Sequence, residues 1–260
     1  MCKLKNPFPG EHMKAYELFS ELGSEVRLGI LKALGEKPLK FTAISEHLKI
    51  TSPETSRQLN RLIDAALLEK RPDGFYSLTP FGNLVMASAP NLEFIALNSS
   101  YFLTHDVSPI PPELLRRVDM LSGGKVVTGV FEVMENVDSL FDGIGEYSWY
   151  LSDNFPRCFL PKIEQKLDAG VEFRSVYPEE FLTNVLRSVG EKVRSGIEFR
   201  TLEEIRIALN VNDHYAFLGL PGQDGKIDRD CVLIGSDSGF KDWCRELFEY
   251  YWRRSSKYHP

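Results

Sequence analysis

Hydrogen-bonding side chains between residues 54 and 61 have types and spacing that suit a specific chemical task. Arg57, Asn60 and Arg61 carry groups that can pair with base edges or phosphate oxygens of a nucleic acid. At 100° per residue, Glu54, Arg57 and Arg61 fall on one side of a helix, flanked by Pro53, Gln58 and Asn60. The other side carries Thr55, Ser56, Leu59, Leu62 and Ile63. The pattern predicts an amphipathic helix with an exposed polar face, and a simple solvated face is the alternative.

The start of this helix is marked twice in the sequence. Thr51 and Glu54 have the spacing of a capping box, in which two side chains satisfy the first backbone amides. Ser52 followed by Pro53 fits a second pattern, a cap followed by proline in the first turn. The two registers differ by one residue, and both begin the helix here.

A hairpin is predicted directly after this helix. Residues 67–71 and 75–78 have strand composition, and Asp73-Gly74 between them is a strong turn signal. Lys70 and Arg71 would lie on this hairpin, where contact with phosphate is expected.

Three shorter helices are predicted upstream, at residues 12–22, 24–34 and 42–48. Ser24 and Thr42 are the expected N-caps, and Gly35 follows the end of the second helix. Two short helices, an exposed third helix and a hairpin form a winged helix-turn-helix, which places one helix in the major groove of double-stranded DNA. The expected DNA-binding residues are Ser52, Glu54, Ser56, Arg57, Gln58, Asn60, Arg61, Lys70 and Arg71.

Charge is divided unevenly along the chain. The whole chain has a net charge of −6. Residues 1–90 carry 12 basic and 10 acidic side chains, a net charge of +2, and residues 91–260 carry 19 and 27, a net charge of −8. We expect the acidic second half to direct DNA toward the first.

The second half predicts a layered α/β domain. Strands are expected at residues 125–130, 147–151, 171–176, 196–200, 205–210, 215–220 and 231–234. Helices are expected after Pro156, over residues 178–189, and from Asp237 or Ser238 to the end. In the last helix a stripe of Phe240, Trp243, Cys244, Leu247, Phe248 and Tyr251 predicts core packing. The fold class is therefore an α+β winged helix-turn-helix followed by an α/β layered effector domain.

A connector is predicted between these parts. Thr79 and Pro80 begin a helix toward Asn98 that Pro90 should kink or divide. Its apolar residues make it a candidate dimer surface. The proline-rich residues 107–112 predict an extended, semi-rigid linker. The expected domains are residues 1–79, the connector 80–112 and the effector domain 113–260.

Several classes of protein are disfavoured by the sequence. No apolar run reaches the length of a membrane helix, and residues 1–10 lack the apolar stretch of a signal peptide, so a cytoplasmic location is expected. The four cysteines are scattered and form no Cys-x-x-Cys pair, so we expect no metal and no cofactor; incidental thiols are favoured over a redox sensor. Residues 122–125 and Asp224, Asp228 and Asp230 only loosely resemble phosphate and calcium loops.

The run Ser24-Glu25-Val26-Arg27-Leu28-Gly29-Ile30-Leu31-Lys32-Ala33-Leu34 resembles the opening helix of the ArsR-like winged-helix domain. Residues 59–69 resemble the end of that family's recognition helix as it enters the wing. Ala66 stands where the family usually has glycine. The family's metal motif needs a Cys-x-Cys in the third helix, which this chain lacks.

The whole chain resembles archaeal transcriptional regulators of the methanogenesis-regulatory, or filament-regulator, family. The residues that carry this likeness are Tyr101-Phe102-Leu103-Thr104-His105-Asp106 and Trp243-Cys244-Arg245-Glu246-Leu247-Phe248-Glu249-Tyr250-Tyr251-Trp252. The second half is also similar to the effector domain of TrmB-type sugar regulators, which has a phospholipase-D-like fold. The resemblance implies a homodimeric DNA-binding regulator whose second domain senses an unidentified small molecule.

Phospholipase-D chemistry would need a nucleophilic histidine with a lysine two residues later. His214 is followed at that position by Ala216, and His105 by Val107. We therefore expect no enzyme activity and no catalytic residues. A degenerate phosphodiesterase and a winged-helix protein-interaction adaptor are the alternative functions.

A ligand site is expected near the end of the strand at residues 147–151. Ends of strands in α/β sheets often bind ligands. The candidate ligand-binding residues are Trp149, Tyr150, Phe155 and Arg157, and ordinary core or surface packing is the alternative.

Overall fold

The computed structural model describes residues 13–258. The chain divides into two compact units, the first ending at Pro90 and the second beginning at Asn91. Residues 1–10 and the predicted helix start at His12 lie outside the described residues. Within residues 13–258, no helix combines the length and the apolar character needed to cross a membrane.

Within its described residues, the first unit has four helices and a hairpin before the start of a fifth helix, and it has the predicted winged helix-turn-helix fold. The helices are α1 (Ala15–Leu22), α2 (Glu25–Glu36), α3 (Phe41–Leu48) and α4 (Ser52–Asp64). The strands β1 (Leu39–Lys40), β2 (Leu68–Lys70) and β3 (Phe75–Leu78) form an antiparallel sheet in the order β1-β3-β2. Its core is formed by apolar residues that include Ile30, Leu31, Ile44, Leu59, Leu62 and Leu67.

Two helix ends differ from the sequence-based expectation. Ser24 caps α2 as predicted, but α2 continues through Gly35 to Glu36. The helix α3 begins at Phe41, so Thr42 lies inside the helix and does not cap it. The reason is that Lys40 is still paired with Phe75 in the sheet, and the chain turns from strand into helix without a capping residue.

Two residues around the hairpin have left-handed backbone conformations. Gly74 has φ of +84° at the tip, where glycine adopts this conformation without strain. Ala66 has φ of +56° in the turn that joins α4 to β2. An L-residue with a Cβ loses about 1–2 kcal/mol in this region of backbone space. The replacement of the usual glycine by Ala66 is therefore a strained substitution.

The helix α5 (Pro80–Leu97) begins with the predicted cap, because the Gly82 amide donates to Thr79 Oγ1 at 2.9 Å. It is neither ended nor divided at Pro90. Pro90 is exposed, so the carbonyl that loses its helical donor can be solvated. Gly82 allows close packing on the hairpin, since a Cβ there would come within 2.2 Å of the Leu67 carbonyl oxygen.

The second unit is built on an eight-stranded mixed sheet, counted within the described residues. Its order is β11-β7-β6-β5-β8-β9-β10-β4, and only the β5-β6 and β6-β7 pairs are parallel. The strands are β4 (Lys125–Thr128), β5 (Tyr147–Leu151), β6 (Glu172–Pro178), β7 (Ile197–Leu202), β8 (Ala208–Asn212), β9 (Ala216–Gly219), β10 (Cys231–Gly235) and β11 (Ser256–Lys257).

Helices pack on this sheet and form two separate cores, which confirms the predicted layered α/β fold. The helices are α6 (Ser99–Phe102), α7 (Pro112–Leu115), α8 (Val130–Phe141), α9 (Leu160–Asp168), α10 (Glu179–Leu186), α11 (Glu191–Gly196) and α12 (Ser238–Arg254). One core contains the buried aromatic stripe of α12, with Trp243 and Phe248 at its centre. The other contains residues of α8, α9, α10 and α11. The helix α8 was not predicted from the sequence.

The proline-rich segment at residues 107–112 packs in the second unit instead of forming an extended linker. The Ile110 amide donates to the Val107 carbonyl at 2.9 Å and closes a turn, and Ile110 is buried. The Tyr251 hydroxyl donates to the Pro109 carbonyl oxygen at 2.6 Å. The predicted connector, residues 80–112, is thus divided between the two units.

Candidate nucleic-acid interface

The helix α4 is held by its buried side and by its cap. Thr51 is the N-cap, because the Glu54 amide donates to Thr51 Oγ1 at 3.4 Å, which selects one of the two predicted registers. Leu59 and Leu62 are buried in the core of the first unit. The Thr55 and Ser45 hydroxyls hydrogen-bond at 2.8 Å and connect α4 to α3. The helix is therefore fixed by its cap, by the core of the first unit and by α3.

The opposite side of α4 is exposed and polar. The exposed residues of α4 are Ser52, Pro53, Ser56, Arg57, Asn60, Arg61 and Asp64. Ser56, which the helical rotation placed on the inner side, is among them. Five of these are expected DNA-contact residues: Ser52 and Ser56 carry hydroxyl groups, Arg57 and Arg61 carry guanidinium groups, and Asn60 carries an amide. This face can present donors and acceptors to a groove or to phosphates.

Gln58 is buried, with 8% of its surface exposed, although it was expected on the exposed face. Arg27 Nη1 donates to Gln58 Oε1 at 3.2 Å, and Gln58 Nε2 donates to Glu54 Oε1 at 2.5 Å. The buried Arg27 guanidinium needs acceptors, and Gln58 supplies one of them. Gln58 therefore connects α2 to α4 in this structure and does not lie on the exposed face of α4.

Glu54 and Arg57 form a pair on the exposed face. Arg57 Nη2 lies 2.5 Å from Glu54 Oε2, while 71% of the Arg57 side chain remains exposed. The hydrogen bonds from Arg57 and then from Gln58 hold the pKa of Glu54 below its usual value. Glu54 thus acts as an acceptor that orients Arg57. An exposed pair of this kind is weak and can open when a better anion is present.

Arg61 forms a bidentate ion pair with Glu21 of α1. Arg61 Nε lies 2.8 Å from Glu21 Oε2, and Arg61 Nη2 lies 2.9 Å from Glu21 Oε1. The same carboxylate lies 3.0 Å from Nε of the buried Arg27. The hydrogen bonds between Arg61 and Glu21 raise the pKa of Arg61. Arg61 is consequently oriented toward α1, and Glu21 is a site residue that the sequence pattern did not identify.

The hairpin carries its two expected basic residues on the surface. Lys70 and Arg71 are both exposed. Arg71 Nε donates to Ser77 Oγ at 3.0 Å, which holds the stem of this side chain against β3. Lys70 Nζ lies 5.6 Å from the centre of the Tyr76 ring. Both cations are thereby oriented by neighbouring side chains of the hairpin.

Two further exposed lysines, one before α4 and one beside the hairpin, were missed in the sequence. Lys49 is in the turn between α3 and α4, with φ of +54°. Lys40 ends β1 beside the hairpin, with its Nζ 5.2 Å from the centre of the Phe75 ring. A basic residue two positions before the Thr51 cap was a usable signal for Lys49. Nothing local marked Lys40, because its place beside the hairpin depends on the pairing of β1 with β3.

The four candidate ligand residues of the second unit are not brought together. Trp149 packs on Phe248 of α12, with ring centres 5.2 Å apart. Tyr150, the next residue on β5, lines a cavity on the other side of the sheet. Phe155 is buried beside Tyr177, and Arg157 is exposed. Because successive strand residues point to opposite faces, Trp149 and Tyr150 cannot share one site.

No group of three or more possible metal-ligating side chains occurs among residues 13–258. His214 lies in the turn between β8 and β9, and Ala216 stands two residues later. The neighbouring Asp213 carboxylate accepts hydrogen bonds from the amides of Gly145, Glu146 and Tyr147. Asp213 therefore has a structural role in the turn that leads into β5.

Two families match parts of the chain. Residues 24–70 match the bacterial arsR family of regulatory proteins, and residues 130–254 match the middle domain of the methanogenesis regulatory protein FilR1. The chain is 26% identical over 253 residues to the methanogenesis regulatory protein FilR1 of Methanothrix harundinacea (strain 6Ac). That alignment covers 89% of the chain and 56% of the relative, so the chain spans about half the length of the protein it matches.

Solved structures give weaker likenesses. The archaeal chromatin protein TrmBL2 is 13% identical with a TM-score of 0.44, covering 94% of this chain and 100% of that one. Quinone-bound YodB from B. subtilis is 24% identical with a TM-score of 0.31, covering 33% and 97%. NucT from Helicobacter pylori is 12% identical with a TM-score of 0.39, covering 52% and 98%. These scores are below 0.5 and establish no shared fold.

Proposed function

We propose that this chain is a DNA-binding transcriptional regulator that acts as a homodimer and senses a small molecule through its second unit. One observation carries the first part. The exposed face of α4 lies in a winged helix-turn-helix, and residues 24–70 of that unit match the arsR regulatory family. Recognition helices of this type place their exposed residues in the major groove.

Different roles are proposed for the residues of the α4 face. Arg57 and Asn60 would contact base edges, because both are exposed and can form two hydrogen bonds with a base. Ser52 and Ser56 would contact phosphate oxygens from the start of the helix. Arg61, held by Glu21, would reach a phosphate or base only if that contact opens.

The hairpin would add contacts to the DNA backbone. Lys70 and Arg71 provide two positive charges on this segment, and Lys40 lies beside it. Lys49, in the turn before α4, would contact phosphate as well. Contacts of this kind give affinity without reading sequence and make binding sensitive to salt.

A homodimer is supported by exposed apolar side chains on two helices of the chain. Tyr16 and Phe19 of α1 and Leu84, Leu92 and Ile95 of α5 are exposed. Leu92 and Ile95, both in the second unit, are three residues apart and fall on one side of the helix. Apolar surface of this kind is typical of interaction sites. Sedimentation velocity with the full chain should give twice the mass of 29.6 kDa.

For the second unit we propose an effector role of the TrmB type, with a phospholipase-D-like arrangement that has lost its chemistry. The support is a mixed sheet with helices on it and the match of residues 130–254 to the FilR1 middle domain. The match to residues 24–70 and the α4 face favour regulation over a protein-interaction adaptor.

The proposed DNA binding can be tested by fluorescence anisotropy. The full chain would be titrated onto a labelled fragment from upstream of its own gene and onto a scrambled fragment, over a series of salt concentrations. We expect tighter binding to the upstream fragment and affinity that falls steeply with salt. Equal, salt-insensitive binding to both fragments would contradict the proposal.

A further inference from the structure

The second unit contains a cavity of about 310 Å³ beneath helix α8. Its floor is the sheet, with Tyr150, Ala208, Asn210, Phe217 and Val232 from four adjacent strands. Its roof is α8, and residues 154–159 form a side wall. The cavity lies at the carboxyl end of β5, the position at which α/β sheets bind ligands.

The lining of the cavity is mainly apolar. The roof contributes Val130, Val133, Met134, Val137 and Phe141, and the floor and wall add the rings of Tyr150, Phe159, Tyr215 and Phe217. Small-molecule sites in proteins have volumes of ~300–1,000 Å³ and are lined mostly by such side chains. This cavity is at the small end of that range. It suits a compact molecule and not a nucleotide or a lipid.

Polar groups on the floor are few, and one of them is already satisfied. Asn210 Nδ2 donates to Ser148 Oγ at 3.0 Å and to the Trp149 carbonyl at 3.1 Å. Asn210 Oδ1 accepts from Asn212 Nδ2 at 2.9 Å. The Tyr150 hydroxyl also lines the cavity and is hydrogen-bonded to the Ser152 side chain; burial raises its pKa, so it stays protonated and has a proton to donate. A ligand with one hydrogen-bond acceptor could be oriented by it.

Charge in the lining is limited to two neighbouring residues. The charged residues that line the cavity are Arg229 and Asp230, which have opposite signs. The Arg229 charge is balanced by the Asp153 carboxylate, which pairs with Nη2, although the buried Arg229 Nε has no hydrogen-bond partner. Burying an ionised group without a partner is strongly unfavourable, and neither floor nor roof offers a charged partner. A charged ligand is therefore excluded from the interior.

The mouth of the cavity is open to small molecules. Val130 and Met134 of α8 are exposed by 50% and 40% although they line the cavity. The thiol-bearing Cys158 is exposed on the opposite wall. A ligand would pass between these residues, and a bound ligand would cover them.

We propose that this cavity binds a small, uncharged, mainly apolar molecule with a single hydrogen-bonding group that contacts the Tyr150 hydroxyl. That this molecule is the effector of the chain rests on the proposed function. The binding itself does not depend on it. The assignment retains Tyr150 among the predicted ligand residues and replaces Trp149, Phe155 and Arg157 by the lining of α8 and by Asn154, Pro156, Cys158 and Phe159.

Three probes of similar shape and different polarity test the proposal on the full chain by calorimetry at neutral pH. We expect p-cresol and toluene to bind and the anion 4-methylbenzoate not to bind. Tyr150→Phe should weaken the affinity for p-cresol by about fivefold, which corresponds to the loss of one hydrogen bond. It should leave the affinity for toluene unchanged. If neither uncharged probe binds, or if 4-methylbenzoate binds as well as p-cresol, the proposal is overturned.

Two variants of α8 locate the binding. Met134→Trp fills the mouth from a partly exposed position and should abolish binding of both uncharged probes. Glu135→Trp adds the same ring on the exposed side of the helix and should leave binding unchanged. As a second readout, p-cresol should slow alkylation of Cys158, followed by peptide mass mapping. Equal binding by the two variants would place the probe elsewhere and refute the assignment.

The DNA titration in the presence of p-cresol separates this proposal from the proposed function. We expect a changed affinity for the upstream DNA fragment. DNA binding without p-cresol binding would overturn the proposed ligand site in the cavity and leave the proposed function standing. Binding of p-cresol without any DNA binding would overturn the proposed function and leave the cavity site standing. If both bind without affecting each other, the molecule bound in the cavity is not an effector.

Discussion

The exposed face of α4 and the cavity beneath α8 differ in how their residues are distributed along the chain. The α4 face is made by residues 52–61, within one helix. The cavity is made by residues between 130 and 232, from one helix, four strands and a loop. The first arrangement depends on local sequence, and the second depends on sheet order. The difference explains why one site was visible in the sequence and the other was not.

The largest effect should come from replacing Glu21. This residue of α1 holds Arg61 of the α4 face although the two are 40 residues apart in sequence. Its carboxylate holds both Arg27, which is buried, and Arg61. Glu21→Ala removes the anion beside the buried Arg27, which keeps its hydrogen bonds to the Ser20 and Glu21 carbonyls and to Gln58, so the free energy of unfolding should fall by about 2 kcal/mol. Urea denaturation followed by circular dichroism measures this.

The matched control for this change is Glu46→Ala, which removes an exposed glutamate from α3. It should alter stability by less than about 0.5 kcal/mol. A similarly small effect of Glu21→Ala would mean that the α4 face needs no support from α1.

A comparable effect, on binding instead of stability, is expected for Arg57→Ala. If Arg57 contacts a guanine, affinity for the upstream fragment should fall by ~1–3 kcal/mol, or about 5–150-fold, and less for scrambled DNA. Arg253→Ala removes an equally exposed arginine from α12 and should have no effect. Unchanged binding by Arg57→Ala would remove the main support for the role of α4.

A smaller effect is expected at Ala66, where local sequence and backbone conformation disagree. Ala66→Gly relieves the left-handed strain but adds freedom to the unfolded chain, so a net gain of about 0.5–1 kcal/mol is expected. Ala65→Gly changes a buried neighbour with φ of −77° and should destabilise the protein instead. A loss of stability on Ala66→Gly, measured by thermal unfolding, would contradict the claim that the backbone of Ala66 is strained.

The smallest effect concerns the titration of Glu54. Its pKa in the folded chain is below the ordinary value of 4.5, because Arg57 and then Gln58 hydrogen-bond to the ionised form. The stabilising contribution of the carboxylate is therefore fully present above pH 4.5 and is lost as the pH falls through the folded pKa. Side-chain carboxyl NMR should give a midpoint below 4.5.

The same titration identifies the cause of the shift. Arg57→Ala should move the midpoint of Glu54 back toward 4.5, whereas Arg253→Ala should leave it in place. A midpoint that does not respond to Arg57→Ala would show that the pair does not persist in solution.

Most of the first unit could be predicted from sequence because its signals are local. Asp73-Gly74 specified the hairpin tip, and Thr51 and Glu54 specified the start of α4. Gln58 was misplaced on the surface because the rotation of one helix does not register Arg27, which comes from α2 and needs an acceptor. Glu21 was missed for the same reason, since it is 40 residues from Arg61.

In the second unit, the strands were largely predicted but their partners were not. The proline composition of residues 107–112 predicted an extended linker, whereas the long-range contact of Tyr251 with Pro109 folds this segment into the unit. The helix α8 was overlooked because its β-branched start continued the strand prediction. The apolar residues Val133, Val137 and Phe141, each four positions apart, were a usable signal. Without α8, the cavity has no roof.

The central claim is that α4 reads DNA through Arg57. Its most direct test is a double-mutant cycle between Arg57 and the guanines of the bound DNA. After footprinting on the upstream fragment, each protected guanine would be replaced by 7-deazaguanine, which lacks the N7 acceptor. The wild-type chain should lose about 1–3 kcal/mol of affinity at one guanine, and Arg57→Ala should lose nothing further there. Equal losses for wild type and Arg57→Ala at every guanine would contradict the assignment of α4 as the helix that reads DNA.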